Sequence, residues 1–175
     1  AITENYAILM DLPMVFTEQG LRNKLWAIHQ DPDLPTRFGV LPRHGEGSDI
    51  RWFEFPGCYI YHVVNAWEED DSVVLYCCKM IDNGRNLPSQ YGPYAPMVNV
   101  LALRAVLTKW TMNLQTGESR EEQVDDSISE FPVVNLGLLG HETRYAYLAS
   151  IPDTGTQMFD GILKYDLTDG SYVAH

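Results

Sequence analysis

Short runs of alternating β-branched and aromatic residues, each cut off by Gly, Pro, Asn or Asp, recur along the chain and confine it to an all-β fold. "NYAILMDLPMVF", "TRFGVLP", "IRWFEF", "CYIYHVVNAWEE", "SVVLYCCKMI", "LTKWTMNL", "TRYAYLASI" and "FDGILKYDL" each read as a strand, the first interrupted at Pro13. In "TKWTMNL" the period of two is clean: Trp110, Met112 and Leu114 face one way, Lys109, Thr111 and Asn113 the other. Two stretches break the pattern. Residues 17–30 suit a helical turn, and the Pro- and Gly-rich residues 82–96 form an excursion longer than most connections, of a kind that is usually functional or mobile.

The strands also repeat a plan. "WTMNLQTGES" and "ILKYDLTDGS" share an alternating strand, a Leu (Leu114, Leu167), a Thr-Gly or Asp-Gly turn, and a Ser. A four-stranded unit that recurs roughly every 40 to 50 residues has the spacing of propeller blades. A β-sandwich is the alternative that these strands leave open.

Composition narrows the classes further. At 175 residues and 45% hydrophobic, the chain is long enough for one domain with its own core, and it has no run long enough to span a bilayer as a helix. Asp and Glu number 24 against 12 Lys and Arg, a net charge of −12, which argues against binding a phosphate backbone, so no nucleic-acid partner is expected. The acidic runs "WEEDDS" and "REEQVDDS" read as solvated turn faces. Cys58, Cys77 and Cys78 are odd in number and form no CxxC; adjacent Cys77 and Cys78 would point to opposite faces of a strand. Free thiols in a reducing compartment follow, an intracellular location that a cytosol or a plastid stroma would satisfy. The chain opens on "AITENYAILM" without an initiator Met, as a processed, trimmed or internal piece would.

One residue is out of place. In "CYIYHVVNAWEEDD" (58–71), His62 sits inside an apolar run. Strict alternation puts Tyr59, Tyr61 and Val63 on one face, and Cys58, Ile60, His62 and Val64 on the other. A histidine so placed ordinarily donates one hydrogen bond and packs; metal binding or catalysis is the rarer role.

"AITENYAILMDLPMVF", "RFGVLPRHG", "IRWFEFPGCYIYHVVNAWEEDDSVVLYCC", "MNLQTGES", "SEFPVVN" and "ETRYAYLASIP", in this order, resemble the central part of a carotenoid cleavage oxygenase. The resemblance spans nearly all of the chain. It implies a partial seven-bladed β-propeller with about three blades present, residues 1–175 being an internal fragment of a single catalytic domain. It further implies a non-haem Fe(II) dioxygenase that cleaves a conjugated C=C bond of a carotenoid or apocarotenoid with O2, giving aldehydes. The alternatives are a catalytically inactive propeller used as an interaction platform, and a stilbenoid-cleaving relative. A propeller hydrolase built on acid pairs finds little support, because the acids gather in turns.

The resemblance also reverses the reading of His62, which matches one of four histidine ligands of the family's iron, the others falling outside this chain. A second-shell glutamate in the segment matching "SEFPVVN" implicates Glu130, which would hold the His62 ring by accepting its second N–H. By itself, Glu130 reads as an exposed acid beside a strand. Tyr61 and Phe131 match positions whose aromatic side chains line the substrate tunnel; Tyr61 stands where the family commonly has Phe. Asn65, Trp67 and Glu68 are expected to be structural, and His29, His44, His141 and His175 match no ligand position. The implied partners are O2 and an apolar polyene, with any peripheral membrane contact made through parts outside this chain.

Overall fold

The computed structural model describes residues 1–22, 28–81, 92, 94, 95, 104–152 and 158–175. Its strands are β1 (Tyr6–Asp11), β2 (Met14–Phe16), β3 (Ile28–Gln30), β4 (Thr36–Pro42), β5 (Arg51–Phe55), β6 (Ile60–Glu69), β7 (Ser72–Met80), β8 (Ala105–Asn113), β9 (Ser119–Gln123), β10 (Ser129–Val133), β11 (Tyr145–Ser150), β12 (Gly161–Asp166) and β13 (Tyr172–Ala174). They form antiparallel sheets in the orders β1-β4-β5, β6-β7-β8-β9 and β10-β11-β12-β13, plus a ribbon of β2 and β3. The chain is all-β, part of a β-propeller: two complete four-stranded blades follow a three-stranded third.

The expected strands are present, with Pro13 separating β1 from β2. Strands β3, β9, β10 and β13 were not expected. A helical turn, α1 (Glu18–Arg22), does occur within 17–30, but that stretch ends in β3 rather than continuing as helix, and residues 23–27 between them lie outside the described residues. The 82–96 excursion falls almost wholly outside them too.

The sheet β6–β9 is covered on both faces. Val73, Leu75, Cys77, Trp110 and Met112 pack toward the first sheet, where Phe38 and Phe55 meet Trp110 at ring distances of 5.4 and 6.5 Å. Val74, Tyr76, Cys78 and Leu107 pack toward Ala146, Leu148, Leu163 and Tyr165 of the next blade. A strand covered twice needs no polar face, which is why "SVVLYCCKM" is a nearly unbroken apolar run.

Cys77 and Cys78 do face opposite ways, one in each cluster. Burial pushes the Cys58, Cys77 and Cys78 thiols up, so they hold their protons at neutral pH. Iodoacetamide at pH 8 should therefore leave all three unmodified in the folded protein and label all three in denaturant, as counted by intact mass. Native labelling of Cys77 or Cys78 on a timescale of minutes would show that the inter-blade packing is wrong.

The sequence echo is a structural repeat. Gly117 and Gly170, with φ of 78° and 75°, donate N–H bonds to Asn113 and Asp166 at 3.0 and 2.9 Å. Both positions need the left-handed region, where glycine is unpenalised. One residue into each turn, Leu114 donates to Asp71 O (2.8 Å) and Leu167 to Arg144 O (2.7 Å), so each outer hairpin is tied back to its own blade in the same way.

Candidate functional site

Strand β6 does not alternate as a simple strand. Its partners in β7 run Ile60–Lys79, Val63–Cys77 and Asn65–Tyr76, so the register shifts twice and one extra residue enters β6 each time. Cys58, Ile60, Val63 and Ala66 consequently pack on one cluster, while Tyr59, Tyr61, Val64 and Trp67 pack on the other. This corrects the expected faces: Ile60 and Val64 lie on opposite sides, and His62 belongs with neither. His62 lies within the first bulge, and Asn65 follows the second, in register with Tyr76; neither side chain joins the two apolar clusters.

His62 instead meets Glu130. Its Nδ1 lies 2.6 Å from Glu130 Oε2; the imidazole is 45% exposed and the carboxylate 0%. A carboxylate only accepts, so Nδ1 donates, and in the neutral imidazole Nε2 then carries the lone pair. The carboxylate belongs to the next blade, on β10, where the four residues from Glu130 to Val133 face three on β11. At that bulge Phe131 adopts φ 54° and donates its N–H to the same Oε2 at 2.5 Å. Left-handed backbone is unusual for so bulky a residue and carries strain of about 1–3 kcal/mol. Burial raises the Glu130 carboxyl above the usual range, and the bonds from Phe131 and His62 offset this only in part. Its Oε1 is buried without a hydrogen-bond partner among the described residues.

The two aromatic candidates differ. The Phe131 ring is 42% exposed, 5.2 Å from the His62 ring, and meets the edge of Phe159 at 5.4 Å. Together they form an apolar wall beside the imidazole. Tyr61 is farther off, its ring 6.4 Å from His62 and packed edge-on against Tyr59 at 4.7 Å. Burial pushes the Tyr61 phenol up to about 12, and Tyr59 and Glu130 add to the shift. Phe159 carried no signal in the sequence beyond its aromaticity.

Among the described residues, no group of three or more His, Cys, Asp or Glu side chains is placed to hold a metal together. Among the described residues the site offers one braced imidazole, which fits a single ligand position. His44, His141 and His175 are exposed and away from it. Surface cavities of about 490 and 280 Å³ are lined by neither His62 nor Glu130. No helix among the described residues is long and apolar enough to cross a membrane.

Fold and site together define a class: propeller proteins in which the first strands of adjacent blades meet through polar side chains. The chain belongs to the retinal pigment epithelial membrane protein family, the carotenoid oxygenases, whose family model matches residues 1–175. It is 37% identical over 169 residues to carotenoid 9,10(9',10')-cleavage dioxygenase 1 of Phaseolus vulgaris, covering 95% of this chain and 30% of that protein. It is 30% identical over 156 residues to isoeugenol monooxygenase of Pseudomonas putida, covering 85% of this chain and 31% of that protein. The crystal structure of Pseudomonas brassicacearum lignostilbene dioxygenase shares the fold at a TM-score of 0.79 and 23% identity, covering 99% of this chain and 38% of that one. The chain thus spans about a third of the length of the proteins it matches.

Proposed function

We propose that these 175 residues are an internal piece of a longer β-propeller oxygenase that splits a conjugated C=C bond of a carotenoid or apocarotenoid with O2, one oxygen atom going to each carbonyl product. One observation carries the reading: a half-exposed histidine whose Nδ1 proton is held at 2.6 Å by a fully buried carboxylate of the neighbouring blade. A merely structural histidine has no need of a buried charge to aim it. In a metal site, such a partner fixes the tautomer and turns Nε2 outward as the ligand. His62 would supply one of the imidazoles that hold Fe(II), and bound Fe(II) would supply O2 binding and activation.

The remaining residues act around that ring. Glu130 keeps the proton at Nδ1, and the Phe131 N–H keeps Glu130 in place. The exposed Phe131 and Phe159 rings give an extended apolar substrate a surface beside the imidazole and exclude water there. Tyr61, packed edge-on against Tyr59, adds a second aromatic near the imidazole, and its phenol stays protonated at physiological pH.

An aryl alkene is the second substrate class, favoured by the names of the isoeugenol and lignostilbene enzymes that the chain resembles. Turnover of an apocarotenal against a hydroxystilbene by the complete protein separates the two. In that protein, Glu130→Gln should leave iron bound but lower turnover roughly 10- to 100-fold, because an amide braces the imidazole less well. An unchanged rate at saturating iron and O2 would sink the pairing of Glu130 with His62.

A further inference from the structure

Strands β6 and β10 lie in different sheets and share no backbone ladder; beside the apolar packing between the blades, polar side chains link them. His62–Glu130 is one such rung. Asn65, which resumes the register just after the second bulge, makes another: its Nδ2 donates to Leu138 O and His141 O, both at 3.0 Å, and its Oδ1 accepts from Gly140 N at 3.1 Å. All three bonds go to the turn that follows β10, the strand that carries Glu130. Asn65 is 4% exposed, so leaving these groups unpaired would be costly.

Three residues further along β6, Glu68 reaches a third segment. Its Oε1 accepts from the Thr3 hydroxyl at 2.5 Å and the Asn5 N–H at 2.8 Å, and its Oε2 from the Asn5 side-chain amide at 2.9 Å. Partial burial works to raise the Glu68 carboxyl, but these bonds outweigh it and hold the group below the usual range. The segment before β1 also lies against the turn, since the Cβ position of Gly140 is 3.5 Å from Ile2 O. Strand β6, the turn after β10 and the segment before β1 therefore close a triangle.

We propose that Asn65 and Glu68 are positioning residues for His62: the junction pins the doubly bulged register of β6 and thereby the direction of the imidazole. The inference rests on the reading of His62 as a metal ligand. A bulge can migrate along a strand, and a shift by one residue would carry His62 into a packed face and bring an apolar neighbour to Glu130. Asn65 and Glu68 resist such a shift because their partners lie outside the sheet and do not move with it.

The test is Co(II) titration of the complete, metal-free protein, well below the melting point of each variant. Asn65→Ala and Glu68→Ala should weaken Co(II) binding about 10-fold or more and shift its ligand-field bands. Glu68→Gln should restore most of the affinity, because its carbonyl accepts from Thr3 and Asn5 once the Asn5 amide turns over. Thr3→Val, a milder change, should fall between. Wild-type affinity and bands in the Ala variants, with only the melting midpoint lowered, would overturn the inference and leave a plain structural tie. His62→Ala is the control. If it too binds Co(II) normally, the ligand reading fails and the inference with it; if it loses Co(II) while the Ala variants do not, the inference alone fails.

Discussion

His62→Ala in the complete protein should reduce bound iron to a small fraction of stoichiometric and turnover by more than about 100-fold, beyond what the loss of an outer partner produces. Among the described residues, no group of three or more His, Cys, Asp or Glu side chains could hold the metal without it. The substitution should also destabilise the metal-free protein, for a reason apart from the metal. It leaves the Glu130 carboxylate, 0% exposed, with the Phe131 N–H as its remaining donor among the described residues, a loss of about 1–3 kcal/mol for a buried acceptor. His62→Ala/Glu130→Leu removes both partners and should regain much of that stability without regaining iron. Full iron and full turnover in His62→Ala would disprove the assignment of His62 as a ligand.

Residues 1–175 expressed alone should be catalytically silent, hold far less than one iron per chain and self-associate. The far face of the second complete blade presents Val133, Tyr145, Tyr147, Ile162 and Val173 to solvent, with Val133 60% and Val173 57% exposed. Register places Val133 opposite Tyr147, Tyr147 opposite Lys164 and Lys164 opposite Val173, so this is one continuous face rather than scattered residues. Contiguous apolar area of this kind drives association. The net charge of −12 opposes it, so sedimentation should show larger species as salt rises and repulsion is screened. A monodisperse monomer at all salt concentrations, binding one iron and cleaving a polyene, would overturn both the fragment reading and the shared-ligand site.

Strands that bury one or both faces were legible from periodicity, and the paired turns at Gly117 and Gly170 from composition. The strands that escaped notice lack those signals. Strand β9 is "SREEQ", polar throughout, and its pairing is dictated by β8. Its Glu121, read as part of a solvated run, instead pairs with Lys79 and accepts from Trp110 Nε1. Strand β10 contains Pro132, tolerated because β10 is at the edge of its sheet. The pairing of His62 with Glu130 was read from family resemblance alone. No period of two reveals a bulge, and alternation had placed His62 beside Ile60 and Val64. The junction at Asn65 and Glu68 was hidden for another reason: its partners lie more than 60 residues away in sequence.

Phe131 has a consequence for how such a chain evolves. A glycine there would relax the backbone and still offer its N–H to Glu130, so selection for heat resistance alone would pull toward it. Such a change would discard the ring beside His62. Phenylalanine in a conformation that suits it poorly puts two pressures in opposition at one codon. The fold is held away from its stability optimum where an aromatic wall is needed, and lineages that no longer use that wall are free to drift toward the relaxed residue.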